Sequence, residues 1–107
     1  MTPDEFLLRI GRVIRRHRET LELTQEEFAE VHEINRAHYS AIERGRQNLT
    51  LLNLARIADA LRIPLSRLFR EAEELDIERA MNEPHQPPRR GRPAGTRSRW
   101  RRGQVDT

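Results

Sequence analysis

The 107-residue chain contains no cysteine and no lysine, and aromatic residues make up only 5% of it. Without cysteine there is no disulfide framework, no thiol nucleophile and no cysteine-based zinc site. No apolar run approaches the length of a membrane-spanning helix, and no signal-peptide pattern opens the chain. We therefore expect a cytoplasmic protein without a membrane partner.

The histidines do not have the spacing of a metal site. His32 and His38 lie on different sides of any helix that holds both, and no carboxylate cluster joins them. An enzyme would need a nucleophile, a base and an orienting group in one pocket, and the sequence offers no such set. It therefore predicts no catalytic residue, no bound metal and no cofactor.

Charge divides the chain into two parts. Residues 1–83 carry 13 Arg against 16 Asp and Glu, a net charge of −3. Residues 84–107 carry 7 Arg against one Asp, a net charge of +6, with four of the six prolines. Few core-forming residues occur there, so this segment is predicted to be disordered alone and to have a polyanionic partner. The prediction is a folded domain over 1–83 and a basic tail over 84–107.

The folded part is organised around residues 24–45, which have the pattern of two short helices with a tight connection. Thr24 begins a capping-box pattern with a glutamate three residues later, which predicts a helix over about 25–32. Asn35 is a typical N-cap and begins a second helix, which Gly45 ends. Helices this short need neighbours to bury their apolar faces.

Helices are also predicted on both sides of this pair, because apolar residues recur there at helical spacing. The first runs from about Pro3 to Thr20, and a fourth runs from Leu51 to Leu61 behind Thr50 as its cap. Pro64 interrupts the chain, and a fifth helix is predicted from about Leu65 to Met81. The predicted fold is all-α: a compact five-helix bundle followed by the disordered basic tail.

Three stretches, LTQEEFAE, YSAIERGRQN and LLNLARIADALRIPLSRLF, resemble the helix-turn-helix of the Xre family in order and spacing. That family includes phage repressors, Cro and the controller proteins of restriction-modification systems. The resemblance covers roughly Ile10 to Phe69 and implies a lambda repressor-like domain. Two places differ from the family: its usual Ala-Gly turn is His32-Glu33 here, and Arg62 replaces the glycine that usually ends the fourth helix. A non-glycine residue with positive φ is expected at the turn.

The second helix of the pair presents an outward face that fits the major groove of B-DNA. Arg36 can make two hydrogen bonds to guanine O6 and N7, although a lone arginine is also an ordinary surface charge. Small alanines on this face can contact thymine methyl groups or leave room for bases. The residues predicted to contact DNA from this helix are Asn35, Arg36, Ala37, His38, Ser40 and Ala41.

Affinity is expected to come mainly from phosphate contacts. Gln25 begins the first helix of the pair, whose N–H groups can hold a phosphate oxygen, and the resemblance implies that its side chain does so too. The resemblance also places Arg44, Arg46 and Asn48 against the DNA backbone. A further set on the outer face of the first helix is either solvated or contacts phosphate: Arg9, Arg12, Arg15 and Arg16.

Two more sets of residues are predicted to hold the protein together. The resemblance implies a structural ion pair between Arg18 and Glu43 that ties the first helix to the end of the third. The predicted fifth helix is longer than the bundle needs, and its excess carries Leu75, Ile77 and Met81. These residues are predicted to form a dimer interface, and a frayed helix end is the alternative.

The tail contains Arg90-Gly91-Arg92-Pro93, which resembles the core of an AT-hook. Gly91 would let the backbone lie deep in a narrow minor groove, while Arg90 and Arg92 run along its floor. Narrow A·T-rich minor grooves have an enhanced negative potential that attracts arginine. A nonspecific basic tail is the alternative, and Trp100 could stack on a base or pack on a partner.

The sequence predicts a sequence-specific transcriptional regulator that binds double-stranded DNA as a homodimer on a two-fold operator. The alternative is an antitoxin, in which a DNA-binding domain carries a tail that neutralises a protein partner. Such a tail needs apolar anchors to fill a pocket. This tail has only Trp100 and Val105, which favours DNA as the main partner.

Overall fold

The computed structural model describes residues 1–46 and 48–82, and their regular secondary structure is entirely helical. The helices are α1 (Pro3–Thr20), α2 (Gln25–Val31), α3 (Arg36–Glu43), α4 (Leu51–Leu61), α5 (Leu65–Glu74) and α6 (Ile77–Met81). The all-α prediction is confirmed, and the described residues form six helices instead of the five predicted. In the described ranges, none of these helices combines the length and hydropathy needed to cross a membrane. The predicted tail contacts at Arg90, Gly91 and Arg92 lie outside the described residues.

Five of the six described helices begin where the sequence supplies a capping side chain, and α5 begins after Pro64 without one. Thr24 Oγ1 accepts a hydrogen bond from the Glu27 N–H, and Glu27 Oε1 accepts one from the Thr24 N–H, both at 3.0 Å. The side chains of Thr2, Asn35 and Thr50 cap α1, α3 and α4 at 3.1, 2.9 and 3.0 Å. Each such cap stabilises its helix by about 1 kcal/mol, which is why local sequence defines these boundaries well.

Several residues that lie just after helices have a left-handed backbone, with positive φ. One of these residues is a glycine. Gly45 ends α3 with φ of 71°, as predicted. Glu33 in the turn between α2 and α3 has φ of 58°, and Arg62 after α4 has φ of 64°. These are the two places where the Xre family usually has glycine, so the prediction of a non-glycine residue with positive φ is confirmed. The conformation carries about 1–2 kcal/mol of strain at each such residue.

α1 is the central element, because α3, α4, α5 and α6 all pack against it. The aromatic ring of Phe28 lies 5.0 Å from that of Tyr39 and joins α2 to α3. Phe6 and Phe69 make a second aromatic contact, with centroids 6.1 Å apart, between α1 and α5. The largest fully buried apolar side chains are Ile10, Val13, Ile14, Leu23, Phe28, Tyr39, Ile42 and Leu68.

Gly11 allows α1 to approach the end of α3 closely. A Cβ atom at this position would overlap the carbonyl oxygen of Glu43 and would lie 2.7 Å from that of Ile42. Both obstacles are backbone atoms, which cannot move aside as a flexible side chain can. The absence of a side chain at Gly11 therefore fixes the spacing between these two helices.

The predicted continuous helix from Leu65 to Met81 is wrong, because the chain is interrupted between α5 and α6. Leu75 leaves helical geometry with ψ of 134°, and its side chain is buried in the core at 8% exposure. Asp76 then caps the N-terminus of α6. Ile77 is half-buried and Met81 is 46% exposed. Of the three predicted dimer residues, Leu75 therefore belongs to the monomer core instead of a free surface.

Arg9 on the neighbouring helix α1 stabilises this interruption. Its Nη1 donates to the carbonyl oxygens of Ala72, Glu73 and Leu75 at 3.2, 3.3 and 2.6 Å, and its Nη2 donates to Glu5 at 2.8 Å. Carbonyl groups at a helix end have no partner within the helix. The Arg9 side chain supplies such a partner and is only 14% exposed, so most of it is shielded from solvent.

We expect Gly11→Ala to destabilise the fold by about 1–3 kcal/mol, because the added methyl group meets backbone atoms. In an ordinary helix interior, the same change stabilises by roughly 0.5–1 kcal/mol. The control is the opposite change, Ala55→Gly, at an exposed position of α4. It should destabilise the fold only by the difference in helix propensity, about 1 kcal/mol. Urea unfolding measures both. A Gly11→Ala variant as stable as the unaltered chain would contradict the close approach.

Candidate nucleic-acid interface

α3 has a buried face and an exposed face, which divide the predicted DNA-contacting residues. Tyr39 and Ile42 on the inner face are 0% and 1% exposed. On the outer face, Arg36 and Ala37 at the start of the helix are exposed. The remaining predicted residues of this set vary from exposed (Asn35) to half-buried (His38, Ser40 and Ala41).

Arg36 is the cation at the exposed start of α3. Its Nη1 donates to Glu26 Oε2 at 2.9 Å, which links the beginning of α3 to the beginning of α2. No sequence pattern indicates this pair, because the two residues belong to different helices and meet only when the turn folds. Arg36 nevertheless stays 67% exposed, so its remaining N–H donors face solvent.

Arg18 and Glu43 form a buried ion pair behind the interface. Arg18 Nε and Nη2 donate to the two carboxylate oxygens of Glu43 at 2.7 and 3.0 Å, and Arg18 Nη1 donates to the Leu23 carbonyl at 2.7 Å. The two side chains are 1% and 2% exposed. Burial alone would lower the pKa of Arg18, but the bonds and charge of Glu43 outweigh it and the pKa is raised. The guanidinium therefore stays charged.

Gln25 joins this pair through its side chain. Its Nε2 donates to Glu43 Oε1 at 2.8 Å, an interaction that the sequence did not reveal. The resemblance implied a side-chain contact to phosphate, which stays a prediction; the structure shows that one amide N–H of Gln25 is bonded to Glu43. A carboxamide nitrogen carries two N–H donors, so a second one remains for another acceptor.

The loop after α3 carries the residues that the resemblance placed against the DNA backbone. Arg44, Arg46 and Asn48 are all exposed. Gly45 turns the chain here, and a Cβ at this residue would lie 2.8 Å from the Cα of Leu8 on α1. The loop is therefore held against the first helix, with its two arginines directed away from the core.

His32 and Tyr39 both pack their rings against Phe28 within the helix pair. Burial, and then the charge of Arg62, lowers the pKa of His32, whose ring packs 4.6 Å from that of Phe28. Burial, and then Glu43, raises the pKa of Tyr39 well above its usual value. Both side chains are therefore neutral near pH 7. Within residues 1–46 and 48–82, no group of three or more His, Asp or Glu side chains could hold a metal ion.

Comparison with known proteins agrees with this architecture. The helix-turn-helix family model HTH_3 matches residues 14–68. The chain belongs to this family of DNA-binding transcriptional regulators, of Xre and Cro type. It is similar to control protein C.MunI from a Mycoplasma species, with 38% identity over 72 residues that cover 66% of this chain and 97% of that protein.

A solved structure shows the same relationship. The restriction-modification controller protein C.AhdI from Aeromonas hydrophila has 32% sequence identity and a TM-score of 0.54. The match covers 58% of this chain and 94% of that chain. Both relatives are thus matched over almost their whole length by part of this protein.

We expect Glu43→Ala to destabilise the fold by about 3–5 kcal/mol, because it leaves Arg18 charged and buried without its partner. Glu26→Ala is the matched control, since it removes an exposed carboxylate from an ion pair and should cost at most about 1 kcal/mol. The double variant Arg18→Met/Glu43→Leu should recover much of the loss. Equal losses for Glu43→Ala and Glu26→Ala in urea unfolding would contradict this role.

Proposed function

We propose that this protein regulates transcription by reading the major groove of double-stranded DNA with the first half of α3. The exposed Arg36 and Ala37, opposite the buried Tyr39 and Ile42, are the observation that carries the proposal. An α-helix with such a division can enter the groove while its other face stays on the domain. Arg36 would bind guanine, and Ala37 would contact a neighbouring base.

Phosphate contacts complete this binding mode. The exposed Arg44, Arg46 and Asn48 follow α3 directly and would meet the DNA backbone. Gln25 would contribute its second amide N–H. His38, Ser40 and Ala41 are less exposed than Arg36 and would act only where the helix lies deepest in the groove.

The two relatives support a more specific role. One is described as a control protein and the other as a restriction-modification controller protein. We propose the same task for this chain: control of transcription in a restriction-modification system. Neither description supports the antitoxin alternative. A cytoplasmic location, as the sequence predicts, would follow from this role.

A homodimer on a two-fold operator is also part of the proposal. Leu75 is buried, and Met81 already contacts Arg12, with Sδ 3.3 Å from Nε. Leu51 and Leu52 at the start of α4 are 66% and 60% exposed, more than Met81 at 46%. Contiguous exposed apolar surface marks interaction sites. We therefore add the adjacent Leu51 and Leu52 to Ile77 and Met81 as a second part of the proposed interface.

The basic tail would add further DNA contacts. Residues 84–107 carry a net charge of +6, and Arg90-Gly91-Arg92 has the AT-hook pattern. A tethered cationic segment stays near any DNA that the domain holds and raises its own effective concentration there. Minor-groove binding and nonspecific phosphate binding both remain predictions from the sequence.

Arg36→Ala should reduce affinity for the preferred DNA site by about 1–3 kcal/mol, because the bonds to guanine are lost. Affinity for a random duplex should fall much less. Arg70→Ala, which removes an exposed arginine from α5, is the control and should change both affinities equally. Both are measured by fluorescence anisotropy at one salt concentration. Equal losses for Arg36→Ala on the two duplexes would mean that Arg36 contacts phosphate.

Leu52→Glu and Met81→Glu test the two parts of the proposed dimer surface one at a time. A buried, unpaired glutamate opposes association, so the variant that lies at the interface should sediment as a monomer and bind the operator more weakly. Both positions are exposed in the monomer, so the fold should survive either change. An unaltered chain that sediments as a monomer at micromolar concentration would contradict the homodimer itself.

A further inference from the structure

Glu26 and Arg36 form an ion pair across the two helices of the helix-turn-helix. Glu26 is the second residue of α2, and Arg36 is the first residue of α3. Arg36 Nη1 lies 2.9 Å from Glu26 Oε2, and the side chains of Arg36 and Glu26 are 67% and 69% exposed. The pair therefore lies on the outer surface, at the part of α3 proposed to read bases.

Stability does not account for this pair. Exposed ion pairs contribute little, because water screens the charges and two long side chains must be ordered. Neither residue belongs to the hydrophobic core, and both can be substituted without opening a cavity. The pair therefore matters for which groups on DNA Arg36 can bind.

The bond to Glu26 leaves Arg36 able to bind a base. It uses Nη1, whereas Nε and Nη2 provide N–H donors along another edge of the guanidinium. Guanine O6 and N7 accept two hydrogen bonds from one such edge. Arg36 can therefore keep Glu26 and bind guanine together, with the carboxylate restricting the plane of the guanidinium.

The same carboxylate disfavours phosphate. Phosphate attraction depends on net charge and supplies nearly all nonspecific DNA binding. Glu26 neutralises Arg36 locally and brings negative charge to the surface that faces DNA. Base recognition depends on the geometry of the hydrogen bonds and is less affected by net charge.

We propose that Glu26 is a specificity-determining residue, which positions Arg36 for guanine and repels phosphate from the start of α3. The inference rests on the proposed reading of guanine by Arg36. Its effect is to widen the difference in affinity between the preferred site and random DNA. Discrimination gained by disfavouring the wrong partner is a common source of specificity.

The test compares Glu26→Gln with the unaltered chain on two duplexes. One is the preferred sequence selected from a random pool, and the other is a random duplex of equal length at the same salt concentration. Affinity for the random duplex should rise, and the ratio of the two affinities should fall about tenfold. Glu73→Gln, which removes an exposed charge from α5, is the matched control and should leave the ratio unchanged.

An Arg36→Ala background distinguishes this inference from the proposed function. There, Glu26→Gln should no longer change the ratio. If Arg36→Ala lowers the ratio but Glu26→Gln alone leaves it unchanged, the role of Glu26 is overturned while base reading by Arg36 stands. If Arg36→Ala itself leaves the ratio unchanged, base reading by Arg36 fails and this inference fails with it.

Discussion

The buried ion pair between Arg18 and Glu43 is the interaction on which the rest of this domain depends. It joins α1 to the last residue of α3, and the bonds to Leu23 and Gln25 bring the start of α2 into the same network. A charged group in the interior is tolerated only when its partners are fixed. The network therefore holds three helix ends in one arrangement, and Gly11 allows the close approach that this arrangement needs.

That arrangement of helix ends determines which residues α3 exposes at the surface. With its inner face fixed on the core, α3 presents Arg36 and Ala37 outward from its first turn. Residues 1–83 carry a net charge of −3, so general attraction to DNA is weak in the folded part. In the proposed function, a few exposed arginines and the basic tail supply phosphate affinity, and the Glu26–Arg36 pair contributes to discrimination between DNA sequences. The proposal thus assigns affinity and specificity to different parts of the chain.

Local chemistry explains why much of this fold could be predicted from sequence. Thr24, Asn35 and Thr50 cap helices through atoms only three residues away, so their signals do not depend on the tertiary fold. The interruption at Leu75 was missed although it has one local signal, the Asp76 side chain that caps α6 through an atom three residues away. The other contact there could not be predicted in this way, because Arg9 is distant in sequence and binds carbonyl groups that no pattern displays.

The candidate nucleic-acid interface shows the same distinction between local signals and contacts that form only in the folded domain. The outward position of Arg36 follows from helical spacing and could be read from the sequence. The partners of Arg36 and Gln25 could not be, because Glu26 and Glu43 reach them only after α2 and α3 have packed. Side-chain hydrogen bonds between helices depend on rotamers and on the angle of the turn, and neither has a sequence pattern.

Selection of bound sequences from a random pool of duplexes tests whether α3 reads bases. A homodimer that reads bases with α3 should enrich a motif of two inverted half-sites about one helical turn apart, roughly 34 Å between centres. Each half-site should contain a guanine at a fixed position, where Arg36 would bind. A pool that shows no enriched sequence, despite tight binding of the protein to DNA, would contradict base reading by α3.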